Sequence, residues 1–544
     1  MKRFIETYKD TLFDVIVIGG GITGAAVAYE AASRGLNTAL LEKGDFSSAT
    51  SSATSKLIHG GLRYLAKGEF SLVRESLRER KIMESIAPNF VYPIPVMIPF
   101  YKNSKLAKLK IKAGMVLYDL LSFDKQFVHD QSKKIPSHHS IRTSEIIKIE
   151  PGIKREGLDG SVIYYDCLNL IPERLTLAFI KSAVKHGASV ANYSRVSGFI
   201  YDATNRISGV KVTDIIYNKH KTIRGSLVIN CTGPWTDITL HMDKKSTSQP
   251  HITRSEGIHI ITAKINQSHV IVSMTPEGRH LFMIPWRDHT LFGTTDSEYS
   301  GDPDKYQVTK KSISGLLSDI NNSFGNITVK YRDIKHCYGG LRPLVENSAG
   351  STYEASRKFE ILDNEKDGIK GMITAEGGKY TTSRNLAEKV VNLAARKLNI
   401  PVHKSKTATQ FLSVSEIPDI NEYLLNAKKE NSDFNEKTVE TLVKYYGNEF
   451  SDILDIAREN SLYAEKINFD GEILAQVIFA VRKEQAFNLD DILLRRTGIG
   501  TLGNPGMQVL KNIAACAGRE LNWTMQKRFN EINKILELLQ IPKK

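Results

Sequence analysis

Four consecutive apolar residues, Val15-Ile16-Val17-Ile18, make a run of strand length, as expected for a strand buried on both faces. Thr23 to Arg34 is Ala-rich and helical, and Gly35 stands where a helix cap belongs. Thr38-Ala39-Leu40-Leu41 repeats the strand signal. Strand, tight turn, helix and strand in that order open a doubly wound α/β fold. Ser226 to Cys231 and Gly371 to Ala375 read as later strands of the same layer. The first runs into Thr232-Gly233-Pro234-Trp235. The second runs into Gly377-Gly378 and a long helix near Tyr380 to Leu398.

The stretches between differ in pattern. Residues 80–150 mix helix and loop. Residues 236–335 carry β-like runs, such as His269 to Met274 and His280 to Ile284, expected to form a second sheet that holds substrate. From residue 405 the pattern turns helical, with Ile473 to Arg482 and Met507 to Leu521 as clear cases. The expected division is a discontinuous nucleotide domain of residues 11–79, 151–235 and 336–404. A β-rich substrate domain of residues 80–150 and 236–335 covers it, and residues 405–544 form a C-terminal helical domain.

Gly19-Gly20-Gly21-Ile22-Thr23-Gly24 fits GxGxxG, with a strand before it, a helix after it and Glu42 at the end of the next strand. Gly19 permits the tight turn, Gly21 lets the backbone approach a pyrophosphate, and Gly24 lets helix and strand pack closely. The helix N-terminus offers free N–H groups to that pyrophosphate. Glu42 accepts hydrogen bonds from the ribose hydroxyls and repels a 2′-phosphate, which disfavours NADP. The same pattern recurs at Gly498 to Gly503, but it follows a helical stretch and leads into no acid-terminated strand, so it reads as a loop. One dinucleotide site is therefore expected.

At 544 residues the chain is too long for one ordinary domain. Its net charge of +14 is spread along the sequence, and no nucleic-acid motif accompanies it. The densest run, Lys102 to Lys112, sets five lysines among apolar residues, which suits an amphipathic surface on anionic lipid. The four cysteines, Cys167, Cys231, Cys337 and Cys516, form no CxxC pair; no metal site is expected, and a reducing compartment is. Met1 to Asp14 lacks a secretory h-region, and Val15 to Ala28 is too short and too glycine-rich to span a bilayer. Any membrane contact is expected to be peripheral.

The run Ser51 to Leu65 passes from small hydroxyl residues to His59-Gly60-Gly61 and Arg63-Tyr64. With this run the chain resembles the FAD-dependent, respiratory glycerol-3-phosphate dehydrogenases. The matching pieces are Gly19 to Gly24, Glu42, Ser55 to Leu65, Cys231 to Asp237, Phe282 to Asp296, Gly339 to Leu344, Glu376 to Arg384 and Asp490 to Thr497. The resemblance implies a flavoprotein with a helical C-terminal cap. It also implies a cytoplasmic location on the inner face of the cell membrane and, often, a homodimer.

The implied reaction is oxidation of sn-glycerol 3-phosphate to dihydroxyacetone phosphate. Hydride passes from C2 to flavin N5, and the electrons go to a membrane quinone. FAD is expected to rest on Gly19, Gly21, Gly24, Glu42, Thr54, Ser55, Gly60, Gly61, Val196, Gly233, Gly378, Lys379 and Thr381. Substrate carries about two negative charges on its phosphate, so several cations in one cleft are required. Arg63, Arg342 and Lys379 are assigned to it, with Tyr64 as a further donor. His59 and His259 are both candidates for the general base, and the sequence does not choose between them. Glu256 stands where the family usually has Lys, which removes a positive charge from that turn. The Gly377-Gly378 turn, with Lys379 and Thr381, is placed to stabilise negative charge on the reduced ring. The rivals are a glycerol-3-phosphate oxidase that forms H2O2, usually marked by an insertion not evident here, and an amino-acid oxidase, which needs fewer cations.

Overall fold

The computed structural model describes residues 1–102, 105–242, 252–345 and 358–543. The first sheet has eight strands among the described residues. Its parallel centre runs Met372–Gly377, Lys219–Asn230, Leu12–Ile18, Thr38–Leu41 and Ser189–Ala191, with Phe359–Asp363 antiparallel at one edge. Val15, Ile16 and Val17 are fully buried, as the unbroken apolar run requires. The helix Ile22–Ser33 buries Gly24, Ala25, Ala26, Ala28, Ala31 and Ala32, small residues that allow close packing. It packs against Leu12–Ile18 and the helices Pro172–Lys185 and Ser383–Leu398.

The second sheet has ten strands among the described residues. Ile252–Ala263, His289–Gly293, His280–Trp286 and Val270–Met274 form a meander that continues into Val91–Tyr101 and Leu158–Asn169. The doubly wound layer, the β-rich second sheet and the helical C-terminal part are those expected from the sequence.

The strands sort differently from the expected segments at three places. Val91–Tyr101 lies in the region read as helix and loop. Its prolines, Pro93, Pro95 and Pro99, hide the strand signal, yet they fall on alternate positions and so lack N–H groups on one edge only. The continuous pairing with Leu158–Asn169 uses the other edge. Leu158–Asn169 and Ile334–Val345, expected in the nucleotide part, belong to the second sheet. Ile334–Val345 pairs along nearly its whole length with Ile252–Ala263, and that carries Arg342 across to the substrate side. Gly498–Gly503 lies in turns between the helical segment ending at Arg496 and the helix Met507–Glu520, with no strand before it.

Candidate active site

The two sheets enclose a cavity of about 1430 Å³, larger than the ~300–1,000 Å³ of a typical drug-sized ligand site. Its nucleotide end is built by the first strand, turn and helix. Gly19 has φ +107°, and a Cβ on it would lie 2.5 Å from the Cys231 carbonyl oxygen. A Cβ on Gly24 would lie 1.8 Å from the Gly19 carbonyl oxygen, so only glycine lets the turn close on the helix. Gly21 caps the helix, and Ser51 Oγ accepts the Ile22 N–H at 2.8 Å. The Glu42 carboxylate accepts the N–H groups of Gly20 at 2.6 Å and Gly44 at 2.7 Å. Burial raises its pKa, and those two N–H groups oppose the rise.

The other end of the cavity carries two clusters. In the first, the Tyr64 ring has Arg63 at 4.8 Å and the Lys379 ammonium at 4.1 Å from its centroid. The ring's negative face lets two cations share one wall. His59 lines the same space. Burial depresses its pKa to about 4, Asp166 opposes the shift, and Lys379 and Arg63 add to it.

In the second cluster Arg342 donates to Thr294 Oγ1 at 2.6 Å and to the Thr295 carbonyl at 3.2 Å, with Asp296 at 3.6 Å. His259 Nε2 meets Ser55 Oγ at 2.9 Å, and its ring stacks on Tyr338 with centroids 5.0 Å apart. Burial drives the His259 pKa well below its ordinary value, and Arg342 and then Lys56 push it the same way. His259 Nδ1 is buried without a hydrogen-bond partner among the described residues. Both histidines are therefore neutral at pH 7. Lys56 is itself buried. It lies 3.5 Å from Glu173 and 4.6 Å from the centroid of Trp286, which fixes the loop that carries Ser55.

All six residues assigned to catalysis line this one cavity: His59, Arg63, Tyr64, His259, Arg342 and Lys379. So do Gly19, Gly21, Glu42, Thr54, Ser55, Gly61, Val196, Gly233, Gly378 and Thr381. Gly24 and Gly60 lie behind its wall. The Gly60 N–H is turned to Tyr118 Oη at 3.1 Å and Asp166 at 3.2 Å. Thr381 Oγ1 accepts the His59 N–H at 3.3 Å. Glu256 is held by Tyr306 and Ser312.

Several site residues escaped the sequence reading. Gly257 and Gly293 make room for Arg342 and His259, and isolated glycines inside strands are a signal of such close approach. Asp166, which gathers Tyr118, Arg80 and the Gly60 N–H, carries no local signal at all.

A family model described as "FAD dependent oxidoreductase" matches residues 14–384. The chain belongs to the FAD-dependent oxidoreductase family. Residues 405–528 match a model of the C-terminal domain of alpha-glycerophosphate oxidase. The chain is 33% identical to a glycerol-3-phosphate dehydrogenase of Synechocystis sp., over 99% of this chain and 98% of that protein. It is 34% identical to an alpha-glycerophosphate oxidase of Streptococcus pyogenes, over 71% of this chain and 63% of that protein. The crystal structure of the glycerol-3-phosphate dehydrogenase from Bacillus halodurans complexed with FAD superposes with a TM-score of 0.79 at 26% identity, covering 99% of this chain and 97% of that one.

The cofactor is FAD, as expected from the sequence. The residues present fit it. The Gly19–Gly24 turn leaves a cradle that a side chain would fill, the buried Glu42 carboxylate closes on it through the Gly20 N–H, and the cavity runs on from there to the cationic clusters.

Proposed function

We propose that this protein oxidises sn-glycerol 3-phosphate to dihydroxyacetone phosphate and passes the electrons to a membrane quinone. The observation that carries the reading is the convergence of Arg63, Lys379 and Arg342 on one cavity that also holds the FAD cradle. A dianionic phosphate needs more than one cation, and a single carboxylate does not. Bound FAD supplies the two-electron acceptor that takes hydride from C2.

The chain's own groups bind, orient and deprotonate. Arg63, Lys379 and Arg342 hold the phosphate and neighbouring oxygens, and Tyr64 keeps the first two in register. His259 is the proton acceptor for the C2 hydroxyl. It is neutral, its ring is fixed by Tyr338, and the Ser55 hydroxyl 2.9 Å from Nε2 marks the position a substrate hydroxyl would take. His59, which lines the same cavity, stays neutral and helps to orient substrate. The Gly377-Gly378 turn, with Lys379 and Thr381, would hold the flavin ring and supply N–H groups and a cation for negative charge on it.

The acceptor reading rests on the helix Lys105–Leu121. Its inner side presents Ile111, Met115 and Leu117 to the cavity. Its outer side exposes Leu109, Val116 and Leu120, and Phe123 and Phe127 continue the row. Exposed apolar residues at helical spacing beside Lys110 and Lys112 suit the headgroup region of an anionic bilayer. Among the described residues no helix is long and apolar enough to cross a membrane. The match to a dehydrogenase over nearly the whole of both chains supports the same choice.

The experiment is anaerobic titration of the purified flavoprotein with glycerol 3-phosphate. Bleaching of the flavin absorbance is expected, and its absence would sink the substrate assignment. An oxidase is the second reading, favoured by the partial likeness to the streptococcal enzyme. Stoichiometric H2O2 in air, with no reduction of a short-chain quinone, would establish it instead.

A further inference from the structure

Beside the Glu42 carboxylate lies a second buried acid with a different set of partners. Asp45, 2% exposed, takes Arg496 Nη1 at 2.8 Å, Arg496 Nη2 at 2.6 Å and Arg495 Nε at 2.6 Å. Both arginines come from the C-terminal helical part, in a wide helical turn over Ile492–Arg496. Such turns are rare and are common at functional sites. Arg495 Nη2 is fixed in turn by Asp491 at 2.6 Å and Asp490 at 2.8 Å.

The place where these cations land sets this contact apart from an ordinary bridge. Lys43 and Gly44, between Glu42 and Asp45, line the cavity. Asn192 Nδ2 donates to Asp45 at 2.9 Å. The next two residues bind back to the same turn, with Tyr193 N–H on the Gly44 carbonyl and Ser194 N–H on the Glu42 carbonyl, both at 2.7 Å. Tyr193 Oη also donates to Asp491 at 2.5 Å. The Asp45 carboxylate is thus held by the arginine pair and Asn192, and the carbonyls of Glu42 and Gly44 by the Tyr193–Ser194 backbone beside it.

We propose that the C-terminal helical part retains the cofactor: Arg495 and Arg496 are positioning residues that fix Asp45, and through it the turn that presents Glu42 to the adenosine end of FAD. The inference rests on FAD in this cavity and does not depend on the substrate. Arg496 is the main clamp, because its planar fork takes both Asp45 oxygens at once.

The test measures FAD affinity of the full-length protein, stripped of flavin and retitrated by fluorescence quenching. Arg496→Met leaves Asp45 paired with Arg495 and should raise the FAD dissociation constant about tenfold. The KM for glycerol 3-phosphate at saturating FAD should stay within about twofold of wild type. The comparison variant is Arg287→Met. Arg287 ties the second sheet to the C-terminal part through Asp470, Glu472 and the Gly498 carbonyl, with no contact to the Glu42 turn. It should lower thermal stability and leave FAD affinity unchanged. An Arg496→Met protein that melts earlier but binds FAD as wild type does would overturn the proposal, and so would equal weakening by both variants. If Arg496→Met fails to fold, Arg496→Lys keeps the charge and loses the fork. It should weaken FAD by about threefold, and unchanged affinity there would overturn the proposal as well.

Discussion

Gly293 stands where any side chain would strike His259: a Cβ on it would lie 2.1 Å from the ring's Cδ2 and 2.7 Å from Nε2. Gly257 stands in the same relation to Arg342, with 1.9 Å to Nη2. Each glycine faces a site side chain rather than backbone, and neither needs a left-handed backbone. Alanine at either position should therefore fold and push that side chain aside. Gly293→Ala should lower kcat with little change in KM, because it displaces the proton acceptor. Gly257→Ala should raise KM instead. Steady-state kinetics check this, and the reverse split would reassign the two side chains.

Arg342→Ala should keep the yellow colour and raise the KM for glycerol 3-phosphate strongly. A hydrogen bond to a charged group is worth about 1.5–3 kcal/mol, which is roughly 10- to 100-fold in affinity. Unchanged KM and kcat would remove Arg342 from the phosphate site.

Much of this was legible because the chemistry is local. The Gly19–Gly24 turn, Glu42, the His59–Tyr64 run and the Gly377–Lys379 turn each carry their site residues within a few positions of a glycine, and glycines mark close backbone approach. Contacts that depend on distant pairing were not legible. The Val91–Tyr101 strand hides behind three prolines, tolerated because its long pairing with Leu158–Asn169 runs along one edge and only a short pairing with Val270–Met274 along the other. Tyr338 reaches His259 only through the register that sets His259 opposite it on the neighbouring strand. The Arg496 contact with Asp45 spans 451 positions of sequence, and no periodicity announces it.

Proton acceptance requires a neutral imidazole. Burial lowers the pKa of His259 well below its ordinary value and that of His59 to about 4. The acid limb of the kcat/KM profile should therefore fall below pH ~6.5, the unperturbed histidine value. His259→Asn should lower kcat by roughly 10²- to 10⁴-fold, the usual range for a lost general base, and His59→Asn by much less. A larger loss for His59→Asn would exchange their roles.

Glu376 gives a stability prediction with a definite sign. Burial, Glu360 across the strand pair and Asp237 raise its pKa to about 7 from the ordinary 4.5. A raised carboxyl pKa means the folded state binds more protons than the unfolded state between those values. The stability it contributes is full below pH 4.5 and is lost as pH rises through about 7. Glu376→Gln should thus match wild type near pH 4 and be more stable by up to about 3 kcal/mol at pH 8. Denaturant melts across that range check it; a constant difference would mean that Glu376 does not titrate there.

The exposed row on the helix Lys105–Leu121 should govern membrane contact without touching catalysis. Val116 and Leu120 are 51% and 65% exposed. A soluble fold gains nothing from two large apolar side chains in water, whereas an interface gains about 25 cal/mol for each Å² of apolar surface it covers. Val116→Glu with Leu120→Glu also sets negative charge against an anionic surface. Flotation with vesicles containing phosphatidylglycerol should recover wild type and lose the double variant. Reduction of a water-soluble dye by glycerol 3-phosphate should remain unchanged, while reduction of quinone embedded in the vesicles should fall. If the double variant floats with the vesicles as well as wild type, this helix is not the lipid contact.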